Sequence, residues 1–300
     1  MSTSPAHPGS SPPRTPADSD AVLVGLIGKG IQRSKSPAMH EVEAAAQGFR
    51  CVYELIDLDE RGVGINALPD LLIEAEARGF AGVNITYPCK QAVIPLLHEL
   101  SDEARAIGAV NTVSFRDGRR IGYNTDAWGF AESFRRGLGE VPREHVAQIG
   151  AGGAGAATGY AMLGLGARRL ALFDVDFDRA ESLVRSLSER FPDREVRAVA
   201  EIADAVRSAQ GVIHATPTGM ASHRGSAVAA DLLRPELWVA DIVYFPLETE
   251  LLKLARAAGC KTLDGGGMAV FQAARAFEIF TGLTADGDRM RQHFMRIAGN

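Results

Sequence analysis

The sequence predicts an α/β protein of two domains, one of them a doubly wound parallel unit. Three observations carry that expectation. Short apolar runs alternate with helical stretches from residue 21 to the end, the pattern of βαβ units. The 300 residues leave room for about two domains. Residues 146–174, VAQIGAGGAGAATGYAMLGLGARRLALFD, place a strand, a glycine-rich turn, a helix, a second strand and an acid in that order.

Residues 1–20 are rich in Ser and Pro and nearly free of large apolar groups. Such a stretch cannot bury enough surface to offset its ordering entropy, so a disordered tail is expected. It lacks the apolar centre of a secretory signal. Ala21–Ile27 reads as a buried strand, followed by the loop GKGIQRSKSP. Ser36 with Pro37 predicts a capping hydroxyl and a first-turn proline for a helix over 37–47, closed by Gly48. Residues 51–58 form a strand, 65–78 a helix ending at Gly79, and 81–86 a third strand. Pro88 starts a helix to about His98, and a short helix covers 101–107. Residues 110–115 and 120–123, joined by Asp117-Gly118, predict a hairpin. A helix from about Asp126 to Arg136 leads into the glycine-rich unit. After Asp174, helices are expected over 178–190, 248–258, 268–280 and 286–297, and strands over 195–199, 211–215, 237–241 and 261–263. Gly265-Gly266-Gly267 is expected to break the chain before the long helix at Met268.

In the glycine-rich unit, Gly150-Ala151-Gly152-Gly153-Ala154-Gly155 fits G-x-G-x-x-G, and Asp174 follows Gly155 by 19 residues. Gly150 permits the tight turn, Gly152 lets the backbone approach a pyrophosphate, and Gly155 lets helix and strand pack closely. The free N–H groups at the helix start would receive the phosphates. A glycine-rich turn by itself is often only a turn; the flanking strands and the acid make this a Rossmann dinucleotide fingerprint.

Composition sets the outer limits. With 46% hydrophobic and 23% charged residues, the chain is of ordinary globular type. A net charge of −5 argues against nucleic acid as the main partner. No apolar run approaches the roughly 18 residues of a membrane span. The three cysteines, Cys51, Cys89 and Cys260, have no metal-ligand spacing and suit reduced thiols of a cytoplasmic protein.

Three polar clusters stand at strand ends and helix starts, where open α/β sheets bind ligands. Ser34 and Ser36 place two hydroxyls at a helix N-terminus, suited to a carboxylate or phosphate; one capping serine with a solvated neighbour would look the same. Asn84 and Thr86 share a strand face, and Lys90 follows in the first helical turn, where the macrodipole disfavours an ammonium. A lysine held there can pass a proton near neutral pH; a solvated surface lysine is the plain alternative. Asp126, after Asn124 and with Asn111 upstream, is either an N-cap or the anion that holds the Lys90 amine.

Together the segments SKSP (34–37), NIT-P-K (84–90), GAVNT (108–112), NTD (124–126), GAGGAG (150–155), ATPTGM (215–220) and DG–GM–Q (264–272) resemble the shikimate/quinate dehydrogenase family over almost the whole chain. The resemblance implies reversible hydride transfer between a ring hydroxyl-bearing carbon and nicotinamide, without a metal. It further implies that Lys90 and Asp126 are the catalytic pair. Ser34, Ser36 and Tyr244 would hold the substrate carboxylate, and Asn84, Thr86, Asn111 and Gln272 would face the ring hydroxyls. Gly150, Ala151, Gly152, Gly153, Ala154, Gly155, Asp174, Val175, Asp176, Arg179, Thr216, Pro217, Val243, Gly265 and Met268 would line the cofactor site. The implied domains are 21–125 with 275–300 for the substrate and 126–274 for the dinucleotide, with a hinge between them that closes on both ligands. The enzyme would act as monomer or homodimer, in aromatic amino acid biosynthesis or quinate catabolism.

Members that prefer NADP usually carry Asn-Arg-Thr after the second Rossmann strand. Here Asp174-Val175-Asp176 stands there; Asp174 can accept ribose hydroxyls and would repel a 2′-phosphate, although Arg179 could reach one. NAD is expected. The segment FDVD and residues 243–265 are similar to the NAD-using actinobacterial quinate/shikimate dehydrogenases. Those often have Thr where this chain has Ser36, so shikimate is expected as substrate, with some tolerance of quinate. Rival readings are a quinate-preferring or aminoshikimate dehydrogenase and a non-catalytic shikimate/NAD sensor.

Overall fold

Two six-stranded sheets, each flanked by helices, divide the strands of residues 21–298, the part described by the computed structural model. The tail expected over 1–20 lies outside the described residues. The first sheet holds β1 (Val22–Gly28), β2 (Cys51–Asp57), β3 (Gly82–Ile85), β4 (Glu99–Leu100), β5 (Thr112–Arg116) and β6 (Arg119–Tyr123), in the order β2-β1-β3-β5-β6-β4. β1 runs parallel to β2 and β3, whereas β5 is antiparallel to β3 and β6. At the β5–β6 turn Asp117 and Gly118 have φ of 51° and 71°, the left-handed pair that a tight hairpin requires. Helices α1 (Ser36–Ala46), α2 (Leu68–Ala77), α3 (Cys89–Ala92) and α4 (Asp102–Ile107) accompany this half, while α5 (Thr125–Gly137) leads to the second, its Phe130 and Phe134 packing with Val146, Leu170 and Trp238.

The second sheet is parallel throughout: β7 (His145–Ile149), β8 (Arg169–Phe173), β9 (Glu195–Ala198), β10 (Gly211–His214), β11 (Trp238–Asp241) and β12 (Lys261–Leu263), ordered β12-β11-β10-β7-β8-β9. It is dressed by α6 (Gly153–Gly164), α7 (Phe177–Arg190), α8 (Ile202–Val206) and α9 (Glu250–Ala257). β10 and β11 are buried along their whole length, as strands covered on both faces must be. The chain steps outward from β7 to β9, then returns beside β7 as β10. That reversal opens a crevice beyond the carboxyl ends of β7 and β10, the place where such sheets take ligands.

α10 (Gly266–Thr281) and α11 (Gly287–Ala298) close the chain. α10 crosses α5 at small residues: a Cβ on Gly129 would lie 2.6 Å from the Gln272 nitrogen, and one on Gly267 would lie 2.1 Å from Ser133 Oγ. Farther along, Phe277 and Phe280 enter the core of the first sheet with Val24, Leu26 and Tyr53. α11 is tied to α1 by Arg289, which donates to the buried Glu43 carboxylate at 2.7 and 2.8 Å. Burial opposes the Glu43 charge, but donors from Arg289, Asp286 and Gln47 outweigh it and hold the carboxyl below its usual value. Among the described residues no helix is long and apolar enough to cross a membrane.

Three expectations need correction. The helix expected over 88–98 is only the four-residue α3 followed by a 3₁₀ turn at Ile94–Leu96 and the short β4. Pro95 has no N–H to continue the α-helix, and its ring would strike the preceding turn. Gly266 and Gly267 do not break the chain; they form the first turn of α10, where the Ser133 contact leaves no room for a side chain. The five-residue α8 has too few turns to show a helical period, and was not anticipated.

Candidate active site

Lys90 and Asp126 meet. Lys90 Nζ donates to Asp126 Oδ2 at 2.6 Å, with both side chains partly buried, in the range of a charge-assisted bond. Asp126 is free for this because it is not the cap of α5. Asn124 takes that role, its Oδ1 accepting from the nitrogens of Asp126 and Ala127 at 3.1 and 3.3 Å. Lys90 lies in a helix of four residues, too short for much macrodipole, so the carboxylate, not the helix, positions the amine. Across the cleft, a Cβ on Gly153 would stand 3.9 Å from Lys90 Cδ. The lysine therefore faces the glycine turn of the second sheet.

A run of buried neutral groups surrounds this pair. Asn84 donates to Thr112 Oγ1 at 2.9 Å and to the Asn111 carbonyl at 3.2 Å, and accepts from Tyr53 Oη at 2.8 Å. Both Asn84 N–H bonds thus go to protein groups. Asn111 accepts from the Thr125 nitrogen at 2.8 Å and donates to Thr125 Oγ1 at 3.0 Å, while Thr125 reaches Gln272 on α10 at 3.5 Å. Thr86 follows β3 directly. A Cβ on Gly28 would lie 2.3 Å from its Cγ2, so glycine at the end of β1 makes room for it. Tyr53 was not singled out in the sequence, and Thr125 stood there only inside the NTD segment, with no role of its own. Tyr53 could have been found from the inward alternation of β2, where Cys51 and Tyr53 are both buried.

Ser34 and Ser36 sit on the loop entering α1, but the expected cap is displaced. The helix begins at Ser36, and it is Ser34 Oγ that accepts from the Ser36 nitrogen at 3.3 Å. Ser36 instead lies beside the buried Tyr53 hydroxyl, whose acidity burial suppresses and the serine hydroxyl partly restores. The loop is held from below by Asp57, another residue the sequence reading passed over. Its carboxylate accepts from Ile31 N (2.9 Å), Gly30 N (3.0 Å), Asp59 N (3.1 Å) and Gln32 Nε2 (3.1 Å). Burial works against its charge, and those four donors prevail and hold it below the ordinary aspartate value. Arg33 on the same loop stacks over Phe245, 5.6 Å from the ring centre, linking the two sides of the cleft by a cation–π contact. Beside it, Tyr244 is 47% exposed yet close to Lys90 and Asp126. Both hold for a group lining a concave cleft, surrounded by protein and open on one side. Dehydration raises its phenol, with Lys90 opposing the rise and Asp126 adding to it.

The second sheet supplies a turn shaped by absent side chains. Gly150 has φ of 105°, and a Cβ on it would strike the Ala215 carbonyl at 2.4 Å. A Cβ on Gly155 would lie 2.2 Å from the Gly150 oxygen. Gly152, at the N-cap of α6 with no side-chain cap, has no atom within 4 Å of its Cβ position. The first turn of α6 begins beside this open position, and free N–H groups at a helix start are suited to a phosphate. These features fit a dinucleotide. Ala151 N donates to Asp174 Oδ2 at 2.7 Å, and Asp176 N to Asp174 Oδ1 at 3.0 Å. Arg179 bridges Asp174 and Asp176 at 3.4 and 3.1 Å, while Val175 is fully in solvent. Thr216 and Pro217 follow β10, Val243 follows β11 with its N–H on Asp241 at 3.0 Å, and Gly265 packs against the Ile242 and Val243 carbonyls. Met268 is buried on α10.

A lysine held by a carboxylate and facing a turn that fits a dinucleotide is an arrangement suited to an oxidoreductase of CH–OH groups. Comparison with known proteins makes the assignment specific. Residues 26–113 match the model of the shikimate dehydrogenase substrate binding domain, and residues 265–293 that of the shikimate 5'-dehydrogenase C-terminal domain. A relative from Streptomyces avermitilis named shikimate dehydrogenase (NADP(+)) is 53% identical, over 93% of this chain and 97% of that one. One from Corynebacterium efficiens named quinate/shikimate dehydrogenase (NAD(+)) is 46% identical, over 93% and 99%. The solved quinate dehydrogenase from Corynebacterium glutamicum in complex with NAD superposes with a TM-score of 0.88 at 45% identity, over 93% and 100%. The chain belongs to the shikimate dehydrogenase family.

Proposed function

We propose that the chain is an NAD-dependent shikimate dehydrogenase that interconverts shikimate and 3-dehydroshikimate and tolerates quinate. The observation that carries this is the Lys90–Asp126 pair at 2.6 Å, facing the glycine turn. Oxidising a ring CH–OH removes a hydride and a proton. The bound dinucleotide supplies the hydride acceptor. Lys90 takes the hydroxyl proton and returns it in the reverse direction, and Asp126 holds the amine and offsets its charge. Ser34, Ser36 and Tyr244 receive the carboxylate. Thr86, Asn111 and Gln272 face the ring hydroxyls, and Asn84 holds that wall in place from behind. Residues 21–125 with 275–300 form the substrate domain and 126–274 the dinucleotide domain. The return of α11 to α1 and the crossing of α5 with α10 support this division.

For the cofactor, Asp174 beside the turn supports NAD, as does the fact that Arg179 is already held by two carboxylates. The relatives carry both names, NADP for the Streptomyces protein and NAD for the corynebacterial ones. Ser36 supports shikimate over quinate. The buried, unpaired thiols of Cys51, Cys89 and Cys260 accord with action in the cytoplasm. The test is reduced-cofactor absorbance with shikimate and quinate, each with NAD and NADP. Turnover of shikimate with NAD exceeding the other three mixtures is expected. Turnover confined to NADP would overturn the cofactor reading, and NADH binding without turnover of either acid would favour a sensor.

A further inference from the structure

At the switch point of the second sheet lies a buried chain of side chains that the proton transfer does not use. His214 ends β10 and Asp241 ends β11, and both side chains are fully buried. His214 Nδ1 and Asp241 Oδ1 are 2.9 Å apart, and Thr249 Oγ1 donates to Asp241 Oδ2 at 2.6 Å. The Val243 nitrogen also donates to Asp241, at 3.0 Å. A carboxylate that takes these donors acts only as an acceptor, so the proton between it and the imidazole belongs to Nδ1. In the neutral imidazole Nε2 then carries the lone pair and accepts from Thr216 Oγ1, 2.5 Å away. Thr216 Oγ1 also accepts from the Thr218 nitrogen at 3.2 Å. Its hydrogen and one lone pair are thereby committed, and a single lone pair is left.

Thr216 also touches the dinucleotide turn: a Cβ on Gly150 would lie 2.9 Å from its Cγ2. We propose that His214, Asp241 and Thr249 form a positioning relay that fixes the Thr216 hydroxyl as a hydrogen-bond acceptor toward the dinucleotide. An acceptor of fixed polarity selects an O–H or N–H of the cofactor and needs no reorientation when it binds. The relay is anchored at both ends. Thr249 caps α9, accepting from the Leu252 nitrogen at 3.3 Å, and Asp241 holds the backbone of the loop that continues to Tyr244.

The proposal rests on the dinucleotide reading of the Gly150–Gly155 turn, and the experiment separates the two. NADH dissociation constants from fluorescence, melting temperatures and the KM for shikimate are measured for wild type, Thr216→Val, Thr216→Ser, His214→Phe and the Thr216→Val/His214→Phe double variant. Thr216→Val and His214→Phe are each expected to weaken NADH binding about tenfold, the scale of one hydrogen bond. The double variant should be no weaker than Thr216→Val, because His214 acts through that hydroxyl, and the KM for shikimate should stay within about twofold. Multiplying losses in the double variant would overturn the relay. Should His214→Phe fail to fold, Thr216→Ser decides: binding near wild type supports the relay, and binding as weak as that of Thr216→Val, or equal strength in all three, overturns it. Wild type that binds no NADH would remove the dinucleotide reading itself.

Discussion

The two walls of the cleft are built by opposite means. On the first sheet the wall is made of side chains: Lys90, Asp126, Asn111, Thr86 and the serines each contribute a polar group in a fixed direction. On the second, the floor is made of backbone, and the glycines matter for atoms they lack. The chemistry explains the contrast. A small polyhydroxylated acid is distinguished by hydrogen bonds to each substituent, whereas a pyrophosphate is satisfied by any set of converging N–H groups. The first wall should therefore be sensitive to deletion and the second to addition.

Deletion at the first wall gives the largest effect. Lys90→Ala should lower kcat by about 10²–10⁴-fold, the usual share of general acid–base catalysis. The NADH dissociation constant should stay within about twofold, since the amine is held by Asp126 and only the lysine's stem approaches the turn. Turnover near wild type would remove Lys90 from its role.

Addition at the second wall has two forms that separate folding from binding. Gly155→Ala would push a methyl to 2.2 Å from the Gly150 oxygen, a backbone atom that moves only with the whole turn. A loss of about 1–3 kcal/mol is expected, the range for overpacking, read as a lower melting temperature. Gly152→Ala meets no atom of the protein, so stability should hold while NADH binding weakens by about tenfold, because the methyl occupies the space a phosphate needs. If Gly152→Ala lowered stability and left NADH binding intact, the contrast would fail.

Acid should reach the substrate side in two stages. His40 is buried between Tyr53 and Phe277, and burial pushes it down to about 3 despite the nearby Glu43. Unfolded, it binds a proton at the ordinary value of about 6.5. Between those values the unfolded chain holds the extra proton, so stability falls as pH falls. Asp57 acts lower. Its folded value is depressed, so its contribution is full above the ordinary aspartate range and is lost as pH falls through the folded value. Denaturant melts from pH 7 to 4 should show a slope that His40→Leu flattens. Asp57→Asn should lower stability at pH 7 and raise the KM for shikimate through the serine loop, with the stability deficit shrinking in acid. An unchanged slope in His40→Leu would refute the first stage.

What could be read from sequence follows a simple division. The glycine turn, the Asp117-Gly118 hairpin and the strand–helix alternation were legible because each is imposed by neighbours within a few residues. Lys90 and Asp126 could be named from local patterns, but only the structure shows that Asn124 caps α5 and so releases Asp126. Asp57 and His214 were invisible as site residues because the partners that give them their roles lie 25 to 27 residues away. Nothing beside them in sequence distinguishes a strand-ending acid that carries a loop from one in solvent. Pro95 is the local signal against a helix running from Pro88 to His98, since a proline there interrupts the helical hydrogen bonds.

The smallest effect concerns a pair of charged side chains at the edge of the second wall. Arg179 is shared by Asp174 and Asp176, and both it and Asp176 are about half exposed. An exposed pair of this kind is worth little in stability, but it decides whether a guanidinium is free to meet a 2′-phosphate. Replacing Asp176 by alanine would confuse matters, because its carboxylate also caps α7 by accepting from the Arg179 nitrogen at 3.1 Å. Asp176→Ser keeps a capping oxygen and removes the charge. The KM for NADP should fall a few-fold while that for NAD changes less, because NAD carries no 2′-phosphate for the freed guanidinium to meet. Improvement for both cofactors alike would mean that Asp176 acts through general charge and not through Arg179. No change for either would mean that Arg179 does not reach the phosphate, and the preference would then rest on Asp174 alone.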